Sequence, residues 1–128
     1  KVSYHSRSES FYPQARSYSI VEVRLEPVAG GTRLTLEHTA VPPEEFWGTY
    51  GPGAVGVGWD LSFAGLWAHL AGVELGPPEQ MDSDPTIRAC MLDSARRWGE
   101  VHEASGVDPE VAAAAAAATA AFYVPPLD

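Results

Sequence analysis

Apolar and polar residues alternate with a period of two from Tyr18 to Glu26, setting Val21, Val23 and Leu25 against Glu22, Arg24 and Glu26. That alternation predicts a strand with one face packed and one face in water. It resumes from Thr32 to Thr39, where Leu34, Leu36 and His38 share one side and Arg33, Thr35 and Glu37 the other. Pro27, Val28, Ala29, Gly30 and Gly31 lie between the two runs and supply a turn, so the pair is predicted to be an antiparallel hairpin. The polar, β-tolerant segment Val2 to Ser10 predicts an earlier strand, followed by a break at Pro13 and Gln14.

After Pro42 and Pro43 an acidic-aromatic stretch, Glu44 to Tyr50, leads into the glycine-rich Gly51 to Gly58, and there the period changes. Val55, Trp59, Phe63, Leu66 and Leu70 fall on one helical stripe flanked by Ser62 and Trp67, with Asp60, Ala64 and Ala68 away from it. Full burial of each large apolar side chain is worth about 1.5 to 3 kcal/mol, so the stripe needs a partner, and the apolar side of the hairpin is the expected one. Gly72 and Gly76-Pro77-Pro78 end this helix. Asp84-Pro85 and Asp108-Pro109 are N-cap and N1 pairs that start two more. The first carries Ile87, Met91, Ser94, Trp98 and Val101 at helical spacing; the second is an alanine-rich packing spacer anchored by Phe122 and Tyr123. The fold class is therefore α+β: an antiparallel sheet packed on a long helix, followed by two C-terminal helices.

Charge narrows the choice of partners. Seventeen acidic residues against 8 basic ones give a net charge of −9, and no Lys/Arg cluster offsets it, which argues against nucleic acid and anionic membrane surfaces. No apolar run is long enough to span a bilayer. The single Cys90 cannot close an intramolecular disulfide, and a reducing, cytoplasmic setting is expected.

Gly51-Pro52-Gly53-Ala54-Val55-Gly56 has the letters of a dinucleotide fingerprint, but two prolines separate it from an amphipathic strand where a buried parallel one is required. These glycines are expected instead to turn the chain and to let the helix start pack closely. His38 shares the leucine face, either as a satisfied polar group at a strand end or as a ligand or general-base residue. His5, His69 and His102 have no companion at metal-ligand spacing, no serine sits in a G-x-S-x-G turn, and neither metal nor cofactor is expected. Trp59, Phe63 and Trp67, with Trp47 and Tyr50 upstream, suit either a core or a pocket wall.

The run Gly30-Gly31-Thr32-Arg33-Leu34-Thr35-Leu36-Glu37-His38-Thr39, with Gly51-Pro52-Gly53, Gly58-Trp59-Asp60 and Leu66-Trp67-Ala68-His69-Leu70, resembles the helix-grip proteins of the START-like, or SRPBCC, superfamily. Within it the chain is similar to the branch described as activator-of-heat-shock-protein-ATPase-like or polyketide-cyclase-like. The segment from Trp98-Gly99-Glu100 to Tyr123 is similar to a C-terminal extension of actinobacterial members. The resemblance implies residues 1–72 as the C-terminal part of a helix-grip domain and 73–128 as a helical extension. It implies a cavity for a lipid-like, aromatic or polyketide-like molecule, lined by Leu34, Leu36 and His38 from the sheet and by Trp59, Phe63, Leu66, Trp67 and Leu70 from the helix. The superfamily shares no universal catalytic motif, so no residue inherits a catalytic role.

Two or three strands close no cavity, and members of the superfamily carry further strands and helices before this point. With Lys1 in place of Met, the expectation is an N-terminally truncated fragment; otherwise a homodimer must complete the sheet. The leading functional reading is a small apolar-molecule binding protein. A cyclase- or hydrolase-like enzyme using His38, and a chaperone-interacting regulator, are the alternatives.

Overall fold

The computed structural model describes residues 2–9 and 18–127, with side chains from Ser19 onward apart from Pro78 and Glu79. The break expected at Pro13 and Gln14 lies outside these residues. The chain forms two compact units, Lys1–Glu44 and Glu45–Asp128.

The first unit is an open antiparallel sheet of β1 (Val2–Glu9), β2 (Tyr18–Val28) and β3 (Gly31–Ala40), in that order. Ala29 and Gly30 make the tight turn of the hairpin, and Gly30 takes φ +82°, a conformation that strains any residue with a Cβ. The register sets Leu25 opposite Leu34, Val23 opposite Leu36 and Val21 opposite His38, so the apolar positions of both strands fall on one face. On the other face Glu22 and Glu37 are direct partners, a like-charge pairing that disfavours the sheet. Arg24 relieves it, donating from Nε to Glu22 and from Nη2 to Glu37 Oε2 at 3.2 Å. The hydrogen bond and charge of Glu22 in particular raise the guanidinium's pKa above its ordinary value.

The second unit is helical. After α1 (Glu44–Tyr50) come α2 (Gly53–Ala71), α3 (Pro78–Met81), α4 (Pro85–Ala104) and α5 (Pro109–Tyr123). Helix α2 packs on α4 and α5, which pack on each other. Val57, Met91 and Ala95 are buried at the centre, with Leu61, Ile87, Trp98, Ala120 and Tyr123 around them. Gly99 sets the spacing of α4 and α5, since a Cβ there would lie 2.7 Å from Ala116 Cβ. The alanines of α5 are thus a contact surface for close helix approach, with Ala112, Ala115 and Thr119 buried.

The helix ends follow from the expected caps. Asp84 accepts from the backbone N–H groups of Thr86 (2.8 Å) and Ile87 (3.0 Å), and Asp108 does the same for Glu110 and Val111. Gly72, at φ +68°, closes α2 with its N–H on the carbonyls of Ala68 and His69. Replacing Asp84 with Ala is expected to lower stability by about 1 kcal/mol, whereas Asn retains the cap. Denaturant midpoints of Asp84→Ala and Asp84→Asn check this; equal losses in both would show that the side-chain acceptor is not the source.

Candidate functional site

Alternation along β2 and β3 brings the sheet residues of the expected site together. Leu34, Leu36 and His38 line one face of β3 with Leu25, Val23 and Val21 beside them. Leu36 and His38 are half-buried, while Leu34 and Leu25 are exposed. His38 Nε2 and Ser19 Oγ share a hydrogen bond of 2.6 Å. Sequence reasoning missed Ser19, although the hairpin register carries the signal. Ser19 stands two residues before Val21, the direct partner of His38, and so lies diagonal to the histidine on the same face.

The helix residues of the expected site also share one side of α2. Phe63, Leu66, Trp67 and Leu70 are exposed, Trp67 at 66% and Leu70 at 77%, values unusual for side chains of that size on one helix. Trp59 is half-buried at the start of the stripe. The face that packs on α4 and α5 is the opposite one, carrying Gly53, Val57, Leu61 and Ala68. At about 100° per residue the two faces lie roughly half a turn apart. Helix α2 is therefore apolar on both sides, with small residues toward its helical neighbours and large aromatic and aliphatic ones on the far side.

Gly51, just ahead of α2, and Gly53 and Gly56, in its first turns, explain how the start of the helix is held. A Cβ on Gly51, which takes φ +54°, would come within 2.6 Å of the His102 ring; one on Gly53 would meet Thr119 Oγ1 at 2.7 Å. A Cβ on Gly56 would overlap the Trp98 indole, with three ring atoms at 2.1, 2.3 and 2.4 Å. Each glycine of the false fingerprint is thus a socket for one side chain of α4 or α5, the close-packing role expected of it. Thr119 also donates to the Tyr50 carbonyl at 3.3 Å, and Tyr123 donates its hydroxyl to the Ala54 carbonyl at 2.5 Å. Desolvation raises the Tyr123 pKa, the nearby Gly58 backbone opposing it in part. Trp47 stands edge-on to His102, and Tyr50 edge-on to Phe122, so the upstream aromatics serve the helical packing.

Among the described residues no group of three or more His, Cys, Asp or Glu is placed to hold a metal ion, and no helix is long and apolar enough to cross a membrane. The described residues form an α+β chain, an open antiparallel sheet followed by helices, and its family match is of the SRPBCC type. The chain belongs to the family described as activator of Hsp90 ATPase homolog 1-like protein, whose model matches residues 1–71 of the 128. No curated protein and no solved structure matches it.

Proposed function

We propose that the protein binds a small apolar molecule, lipid-like, aromatic or polyketide-like, through Leu34, Leu36 and His38 of the sheet and Trp59, Phe63, Leu66, Trp67 and Leu70 of α2. The observation that carries this reading is the two-sided character of α2. A helix apolar all round normally has both sides covered, and within the helical unit the side with the largest residues is the one that α4 and α5 do not cover. The family match supports it by running through both the hairpin and α2. We take residues 1–72 as the family's part of the chain and 73–128 as an extension that holds α2 from behind. The setting we propose is cytoplasmic. Pairing of a second copy along an open sheet edge belongs to the same proposal, and light scattering reads it directly.

Tryptophan emission gives a direct assay, because Trp59 and Trp67 both stand on the proposed surface. Titration with a panel of fatty acids and polycyclic aromatics is expected to give saturable emission changes. Leu36→Lys and Phe63→Lys are each expected to weaken binding about tenfold or more, from the loss of one apolar contact of about 1.5 to 3 kcal/mol. No saturable binding across the panel, or unaltered affinity in both variants, would sink the reading.

The family's description favours a second reading, action on a chaperone ATPase. Stimulation of an Hsp90-type ATPase by the purified protein, lost in Trp67→Ala, would move the aromatic stripe from ligand to chaperone contact. An enzymatic role for His38, whose Nε2 shares a hydrogen bond with Ser19, is the third reading; unchanged turnover of any detected reaction in His38→Ala would remove it.

A further inference from the structure

On the side of α2 away from the aromatic stripe, α2 and α4 enclose a cleft of about 320 Å³. Its floor is apolar, made by Val57, Leu61, Ala64 and Met91, and its rim carries Asp60, Cys90, Asp93, Ser94 and Arg97. The volume lies in the range of sites for small organic molecules, and an apolar floor with a few convergent polar groups is their usual composition.

The rim charges select the ligand. Asp93 is fully engaged, Oδ1 accepting from Arg96 Nη2 at 2.7 Å and Oδ2 from Arg97 Nε at 2.7 Å. Asp60 is held differently. Its Oδ2 accepts from Ser94 Oγ at 2.5 Å and from Trp98 Nε1 at 3.0 Å, both neutral donors. Those two bonds fix the carboxylate in place and leave Oδ1 without a donor, and no cation among the described residues pairs with Asp60. With Arg97 offset by Asp93, the rim carries one uncompensated negative charge, in a chain whose net charge is −9. An anion is disfavoured there, and one free carboxylate is too few ligands for a metal ion. A cation with an apolar body meets both demands: its charge at Asp60 Oδ1, its body on the Val57, Leu61, Ala64 and Met91 floor.

We propose that the α2–α4 cleft is a binding site for a small organic cation, an amine or quaternary ammonium with an apolar body, recognised by Asp60. This site does not depend on the aromatic face of α2, so its test stands or fails apart from the function proposed above.

The single cysteine supplies the assay, since Cys90 is exposed and lines the cleft. The alkylation rate of Cys90 by iodoacetamide is measured on the full chain with increasing benzyltrimethylammonium, its neutral isostere neopentylbenzene and the anion phenylacetate. The expected result is saturable protection by the cation at concentrations where neither of the others protects. Asp60→Asn keeps an oxygen acceptor for Ser94 and Trp98 but removes the charge, and is expected to weaken cation protection about fivefold, the scale of a partly exposed ion pair. Ala64→Leu fills the floor and is expected to abolish protection while circular dichroism reports an intact helical unit. Should Asp60→Asn be destabilised, chemical shifts of the Met91 methyl group under the same three titrations give the answer in the unaltered protein. Equal response to all three compounds, no response to the cation, or full protection in a folded Asp60→Asn overturns the proposal.

Discussion

Gly56→Ala is expected to destabilise the helical unit by about 2 to 3 kcal/mol and to lower its melting midpoint by about 10 to 20 °C. The added methyl gains up to about 1 kcal/mol of helix propensity, but it meets the fused edge of the Trp98 indole at separations of 2.1 to 2.4 Å. A planar ring cannot yield there by a rotamer change at its tip, so α2 and α4 must move apart and the contacts around Val57 and Met91 loosen with them. Gly65→Ala in the same helix is the internal control. Nothing lies within 4 Å of its Cβ, and the propensity gain is expected unopposed, raising stability by roughly 0.5 to 1 kcal/mol. Thermal melts followed at 222 nm compare the two; equal shifts of the same sign would show that the indole is not seated on Gly56.

Trp98→Ala is the complementary change, with an expected loss of about 3 kcal/mol. The low end of the range for large aromatic truncations applies because the indole is half-buried. It empties the surface above Gly56 and removes the N–H that Asp60 accepts. The two changes act on one contact and should not add. In the double variant the methyl introduced by Gly56→Ala occupies part of the space vacated by the ring, and the combined loss is expected to fall short of the sum by more than about 1 kcal/mol. A double-mutant cycle in urea measures this coupling; strict additivity would separate the two residues.

These sockets also mark where the sequence could and could not be read. The hairpin was legible almost to the residue, because a period of two with a glycine turn leaves one register in which Leu25, Val23 and Val21 meet Leu34, Leu36 and His38. The caps at Asp84 and Asp108 were legible for a similarly local reason. Helix α1 was not: seven residues lie well below the length at which a helix holds by itself, and contacts of Trp47 with His102 and of Tyr50 with Phe122 support it from far along the chain. Short α3, hidden in a run read only as a helix stop, escaped for the same reason.

On α4 the expected stripe of Ile87, Met91, Ser94, Trp98 and Val101 is rotated slightly. Ala95 and His102 are buried while Val101 is 55% exposed, because counting large apolar residues passes over an alanine and a histidine. His102 Nδ1 is buried without a hydrogen-bond partner, enclosed by the Gly51 backbone and the edge-on Trp47 ring, neighbours that no local pattern in α4 announces. The large residues of α2 do form a stripe, yet the opposite side of the helix, carrying Gly53, Val57, Leu61 and Ala68, is the one packed against its helical neighbours. Small residues score weakly in any hydrophobic pattern, although they permit the closest backbone approach.

Because the tail helices grip α2 through those small positions, its large side chains are not needed to keep it wound. A molecule bound at Phe63, Leu66 and Trp67, as proposed above, would meet a helix already wound, and the entropy of ordering that backbone segment would not count against association. Capture should accordingly be limited by encounter and desolvation, and release should leave the secondary structure of α2 intact.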